Sequence, residues 1–198
     1  ASAQHPACVY LTHPTNDLNA IIAGGCEFAG FWFDLAPAVV GRALCPQRAP
    51  FGRFQRNTAY ANGKYGLYIP KHTAPTVECA DPAVVGTTTT IITGLEAFNN
   101  GVANAHFGSV GNYAVVGSAF LDAGRSGVVI EEIEFGSVEL RTSYFVARSS
   151  TSVITPVDPA RGVDGISAPG SEGLSVANCS FTAYNDNSFG AISALTGT

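Results

Sequence analysis

Methionine is absent from these 198 residues, charge is scarce, and no long apolar run exists. Asp, Glu, Lys and Arg together make up only 13% of the chain, and its ten basic residues are scattered. With a formal net charge of −5 and no Lys/Arg cluster, nothing is available to neutralise a row of phosphates. Nucleic acid is therefore excluded as a partner, and so is polybasic docking to an anionic membrane. The longest apolar stretch, Phe28 to Gly41, is broken by Asp34 and Pro37 and is too short to span a bilayer, so no membrane insertion is expected. The N-terminus has neither a basic n-region nor an apolar h-region. Together with the missing first methionine, this makes a processed or excerpted part of a longer product the expectation. The five cysteines include no CxxC pair, which argues against a zinc site.

Against this scarcity, hydrophobic residues reach 46%, enough for a core rather than a disordered chain. Twenty-two Gly and eleven Pro punctuate short segments rich in Val, Ile, Thr and aromatics, the signature of many strands and tight turns. Phe98, Phe120, Phe145 and Phe181 end a recurring pattern and lie 22, 25 and 36 residues apart. Three, five and seven residues before them stand Leu95, Thr93, Ile91; Gly117, Val115, Tyr113; Thr142, Leu140, Val138; and Asn178, Val176, Leu174. Steps of two read as a strand with one buried face, and the step of three as a corner. A less perfect copy places Ile21, Ala23 and Gly25 before Phe28. Periods near 22 to 25 residues indicate a repeat architecture. The expected fold is all-β, a right-handed parallel β-helix of about seven or eight coils, forming one region over 1–198. Irregular loops are expected at 36–53, 70–90 and 149–172, with corners at Asn99-Asn100-Gly101 and Asp122-Ala123-Gly124.

Candidate chemistry is thin. Cys45 and Cys79 flank a Pro-rich stretch and are the favoured disulfide, whereas Cys26 and Cys179 lie in apolar strand patterns where buried thiols fit equally well. Glu131, Glu132, Glu134 and Glu139 cluster, but alternation places Glu134 and Glu139 outside, with Arg141 beside Glu139. That reads as a solvated, ion-paired face rather than a carboxylate dyad or calcium site. Asp158, Arg161 and Asp164 fall in the expected 149–172 insertion and form a candidate binding loop. His5, His13, His72 and His106 read as surface or turn residues. Thr87 to Thr90 form a single unrepeated run that reads as a strand entry. Asn178-Cys179-Ser180 is the only N-x-S/T sequon: an exposed corner admits a glycan there, an inward Asn does not. Among Phe31, Trp32 and Phe33 at least one ring must point away from a strand's core, to pack under a loop or to serve as a carbohydrate or partner platform. No catalytic constellation, metal set or cofactor motif is found.

A family resemblance is carried by His13-Pro14-Thr15-Asn16 and the run Ala23-Gly-Gly-Cys-Glu-Phe-Ala-Gly-Phe-Trp-Phe-Asp-Leu35. It extends through Cys45-Pro-Gln-Arg-Ala-Pro-Phe-Gly-Arg-Phe54 and Asn57-Thr-Ala-Tyr-Ala-Asn-Gly-Lys-Tyr-Gly-Leu-Tyr-Ile69. Over about residues 10–70 the chain resembles fibrocystin-like proteins and the related cell-surface, cell-migration-inducing hyaluronidases, which carry a parallel β-helix after a G8 domain. The resemblance implies an extracellular or cell-surface location, ciliary for fibrocystin-like members, and assigns no catalytic residue to the matched motifs. The function expected is a non-catalytic structural or adhesive β-helix module of a large, filament-forming or coat-building surface glycoprotein. Its partners would be other extracellular proteins, further coils of the same protein, or glycans. The alternatives are a hyaluronidase- or lyase-like enzyme fragment, or a glycan-binding module.

Overall fold

A computed structural model describes residues 6–73, 79, 88–149, 163–170, 173–184 and 191–195. The described chain is all-β apart from one 3-10 turn, Pro46–Arg48. Its strands are β1 (Ala7–Leu11), β2 (Leu18–Asn19), β3 (Ile22–Gly24), β4 (Ala29–Phe33), β5 (Phe54–Gln55), β6 (Thr58–Tyr60) and β7 (Tyr65–His72). They continue with β8 (Thr90–Thr93), β9 (Glu96–Phe98), β10 (Ala103–Val116), β11 (Ala119–Leu121), β12 (Ser126–Arg141) and β13 (Tyr144–Val146). The last four are β14 (Asp164–Ala168), β15 (Leu174–Ala177), β16 (Ser180–Thr182) and β17 (Ile192–Ala194).

The described strands pair in parallel, each with the equivalent strand of the next repeat, and none forms a hairpin. The narrow sheet runs β3-β6-β9-β11-β13-β16 and is climbed in chain order. The wide sheet runs β1-β4-β7-β10-β12-β14-β17 and curls, because β10 pairs β7 with its first half and β8 with its second. Bulges at Val110–Tyr113 bend β10 between these halves.

Two columns of left-handed residues turn the chain. Ala20, Arg56, Gly94, Gly117, Thr142 and Asn178, with φ between 51° and 62°, each stand two residues before a strand of the narrow sheet. Gly25, Ala61, Asn99, Asp122 and Ala183 follow those strands, also with positive φ. A left-handed residue reverses the alternation of side chains, so the residue after it turns inward, as Asn57, Leu95, Ser118 and Ser143 do. Successive corners then stack backbone on backbone. A Cβ on Gly63 would lie 2.0 Å from the Glu27 carbonyl oxygen, and one on Gly101 would lie 2.1 Å from that of Gly63. Only glycine fits these two steps.

The core fills the space between the sheets. Its narrow-sheet column is Ala23, Ala59, Ala97, Phe120, Phe145 and Phe181 in direct register. The volume lost at the three alanines is made up by Phe31, Phe33 and Phe54, all fully buried or nearly so. Polar corner groups are also paired inside. Asn62 accepts from the Cys26 amide (3.0 Å) and donates to Asn100 Oδ1 (2.9 Å), while Asn100 donates to Asn104 Oδ1 (2.8 Å). This ladder satisfies amides that would otherwise be costly to bury.

Three expectations change. Phe98 does not join the phenylalanine stack: it pairs in register with Leu121 while Ala97 meets Phe120, so its segment is shifted by one residue and Thr93 and Ile91 face outward. Gly117, Thr142 and Asn178 are exposed corners, and the inward residues beside them are Ser118, Ser143 and Cys179. The 149–172 stretch is not an uninterrupted loop, because β14 lies within it, its Ser167 paired with Val129.

Candidate functional site

In the wide sheet, Phe31 and Phe33, Leu67 and Ile69, and Ala105 and Phe107 point into the core. The residue between each pair therefore points out. Parallel register brings these outward residues together: Tyr10 pairs with Trp32, Trp32 with Tyr68, and Tyr68 with His106. Each follows and precedes an apolar residue, as in Phe31-Trp32-Phe33 and Leu67-Tyr68-Ile69. Phe28, just before β4, and Tyr65, which opens β7, complete an aromatic cluster on the outer face.

The rings touch throughout. Tyr10 meets Trp32 edge-on with centroids 5.0 Å apart, and Phe28 lies 5.1 Å from Trp32 and 5.3 Å from Tyr68. Tyr65 and Tyr68 stack at 4.6 Å, and His106 sits 4.9 and 5.1 Å from them. Tyr10 is 52% exposed; Trp32, Tyr65 and Tyr68 are half-buried, and Phe28 and His106 lie deeper. Carboxylates border one side. Tyr10 Oη donates to Asp34 Oδ2 (2.5 Å), and His106 Nε2 lies 3.3 Å from Glu131 Oε1. On the other side Lys64 Nζ stands 5.4 Å over the Phe28 ring.

This setting keeps the polar tips neutral. Accepting its hydrogen bond, Asp34 raises the Tyr10 pKa, with some desolvation added. Burial raises those of Tyr65 and Tyr68, reinforced by Glu131. Burial lowers that of His106 and outweighs the pull of Glu131, so the ring donates to that carboxylate as a neutral imidazole. The surface thus offers apolar ring area with phenol tips at one level and carboxylate acceptors beside it, while the Trp32 indole nitrogen is buried beneath. It holds no activated nucleophile, and no group of three His, Cys, Asp or Glu side chains that could hold a metal occurs among the described residues.

The residues singled out from sequence are distributed elsewhere. Cys45 and Cys79 are joined by a disulfide, and Cys26 is bridged to Cys8 rather than being a buried thiol. Cys179 is free and directs its thiol to the carbonyls of Leu140 and Ala177. Asp158 and Arg161 lie outside the described residues. Asp164 opens β14, where its carboxylate accepts from Ser167 Oγ at 3.1 Å, so it is a strand residue rather than part of a loop. Glu134 pairs with Lys71 and Glu139 with Arg141, on exposed side chains. Asn178 is exposed. Two histidines depart from the surface reading. His106 belongs to the aromatic face, and His72 is fully buried, its Nε2 donating to the Ala49 carbonyl (3.0 Å) and its Nδ1 accepting from Tyr113 Oη (2.6 Å).

Sequence reasoning picked out Trp32 but missed Tyr10, Tyr68 and His106 as its neighbours. The available signal was a polar-tipped ring flanked on both sides by apolar residues in four successive wide-sheet strands.

A family model described as CEMIP beta-helix matches residues 1–67, about one third of the chain. The chain is similar there to a β-helix of the cell-migration-inducing, hyaluronidase-like kind, and the stretch includes Tyr10, Phe28, Trp32 and Tyr65. No curated protein matches. The similarity and the two disulfides fit an extracellular or secreted protein. They carry neither the narrower fibrocystin-like assignment nor a ciliary location.

Proposed function

We propose that this chain is a right-handed parallel β-helix acting outside the cell as a non-catalytic adhesive module, which holds a carbohydrate chain on its outward aromatic column. The reading rests on the register of Tyr10, Trp32, Tyr68 and His106 beside Asp34 and Glu131. Sugar rings present C–H faces that pack on aromatic rings and hydroxyls that donate to carboxylates. Neighbouring strands lie about 4.8 Å apart, close to the length of one pyranose unit, so successive units of a linear glycan can match successive rungs. Further coils of the parent protein or other surface glycoproteins would supply the rest of a coat. Binding to an immobilised glycan panel tests this. Trp32→Ala and Tyr10→Ala are expected to lower affinity about five- to tenfold, since each stacked ring contributes on the order of 1–1.5 kcal/mol. Unchanged binding in both variants overturns the proposal.

The family match favours one second reading, a polysaccharide-cleaving enzyme. Turnover of hyaluronan or pectin, with or without calcium, that is lost in Glu131→Gln or Asp34→Asn would establish that reading in place of the first.

A further inference from the structure

We infer that Asn178 carries an N-linked oligosaccharide. The corner geometry decides between the two orientations the sequence allows. Asn178 is the left-handed residue of the last described corner in its column, φ 52°, and both it and Ser180 are exposed. The residue between them does the opposite. Cys179 packs against the core and directs its thiol to the carbonyls of Leu140 and Ala177, each at 3.4 Å. The backbone is fixed on both sides of the turn, since Thr142 N donates to the Ala177 carbonyl (3.0 Å) and Ser180 N to that of Ser143 (3.0 Å). The acceptor amide and the hydroxyl two residues on therefore face water together, while the middle side chain anchors the corner.

Three other asparagines at the corners are used differently. Asn57, Asn62 and Asn100 are buried and donate to backbone carbonyls within the stack. The Asn178 amide makes no hydrogen bond among the described residues. The two disulfides fit the oxidising lumen in which this modification is made. The donor is an oligosaccharide linked to a lipid diphosphate. A bond forms between Asn178 Nδ2 and the anomeric carbon, the carbon–oxygen bond to phosphate breaks, Nδ2 loses one proton, and the lipid diphosphate departs. No oxidant or reductant is involved.

The test is expression through a eukaryotic secretory pathway, with mass spectrometry of the peptide carrying Asn178 before and after peptide-N-glycosidase in heavy-oxygen water. The expected result is conversion of Asn178 to labelled Asp, and a gel shift that is lost in Asn178→Gln and Ser180→Ala but kept in Ser180→Thr. Ser180→Ala leaves the left-handed residue untouched, so loss of the shift there is independent of any strain at Asn178. Recovery of the secreted, disulfide-bonded chain with Asn178 unmodified overturns the inference.

Discussion

His72 has both ring nitrogens engaged out of reach of water, one donating to Ala49 and one accepting from Tyr113. Phe51 meets the ring at a steep angle, and among the described residues no carboxylate acts on it to favour the charged form. Burial lowers its pKa from 6.5 to about 4. Between those values the unfolded chain binds a proton that the folded chain refuses. Stability is therefore full above about pH 6.5 and falls as pH is lowered towards 4, by about 3 kcal/mol in total. His106, also lowered by burial, adds a contribution of the same sign. Urea midpoints measured across this range should drop on acidification, and His72→Gln should flatten the drop; a midpoint independent of pH would contradict the buried network. Phe145 and Phe98 make a second contrast. Phe145 is fully buried between Phe120 and Phe181, whereas Phe98 lies half-exposed and stacked on Tyr60. Phe145→Ala should cost about 3–5 kcal/mol and Phe98→Ala about 1 kcal/mol, read from denaturant unfolding. Equal costs would mean that Phe98 belongs to the core stack after all.

At the level of elements, the strands were legible where a bulky residue marked the inward position. Phe120, Phe145 and Phe181 announced β11, β13 and β16 and their mutual register. The segment Leu95-Glu96-Ala97-Phe98 misled, because its bulky residue faces out and its inward one is alanine. A search for large side chains sees a one-residue slip there, and a slip of one exchanges the two faces. The corners were only half legible. Asn99, Asp122 and the Ala61-Asn62-Gly63 turn stood out, but Ala20 and Arg56 adopt left-handed backbone without any sequence cue. The aromatic face was hidden because its members lie 22 to 38 residues apart and meet only through strand register. The loop from Leu35 to Phe54 is held by tertiary bonds that no local pattern encodes: Gln47 donates to Leu35, Thr73 to Gln47, and Cys45 is bridged to Cys79. The bridges Cys8–Cys26 and Cys45–Cys79 span 18 and 34 residues. In the chain-entropy model those spans correspond to roughly 3 and 4 kcal/mol. Replacing both Cys45 and Cys79 by Ala should therefore lower the melting temperature more than the same change at Cys8 and Cys26. The reverse order would show that strain or residual structure outweighs loop length.

Across the whole molecule, the chain carries a net charge of −5, which bears on which glycans it holds. A polyanionic chain approaching the Asp34 and Glu131 side of the aromatic face meets repulsion that salt screens within about 10 Å at 0.1 M. Affinity for a neutral oligosaccharide should change little between low and high salt, while any affinity for hyaluronan should rise with salt. Titrations at two ionic strengths check this, and hyaluronan binding that weakens with salt would place the decisive charge on Lys64 instead.

The narrow sheet is ascended one rung at a time, from β3 to β16, and never doubles back. Tension applied to opposite ends of that ladder therefore opens it like a zip from its outermost rung. From β11 to β13, 25 residues pass before the next matching strand, so rupture of that rung frees about 80 Å of slack, and the 36 residues from β13 to β16 free about 120 Å. A tether built this way lengthens in steps under load and shields the inner rungs until the outer ones have yielded.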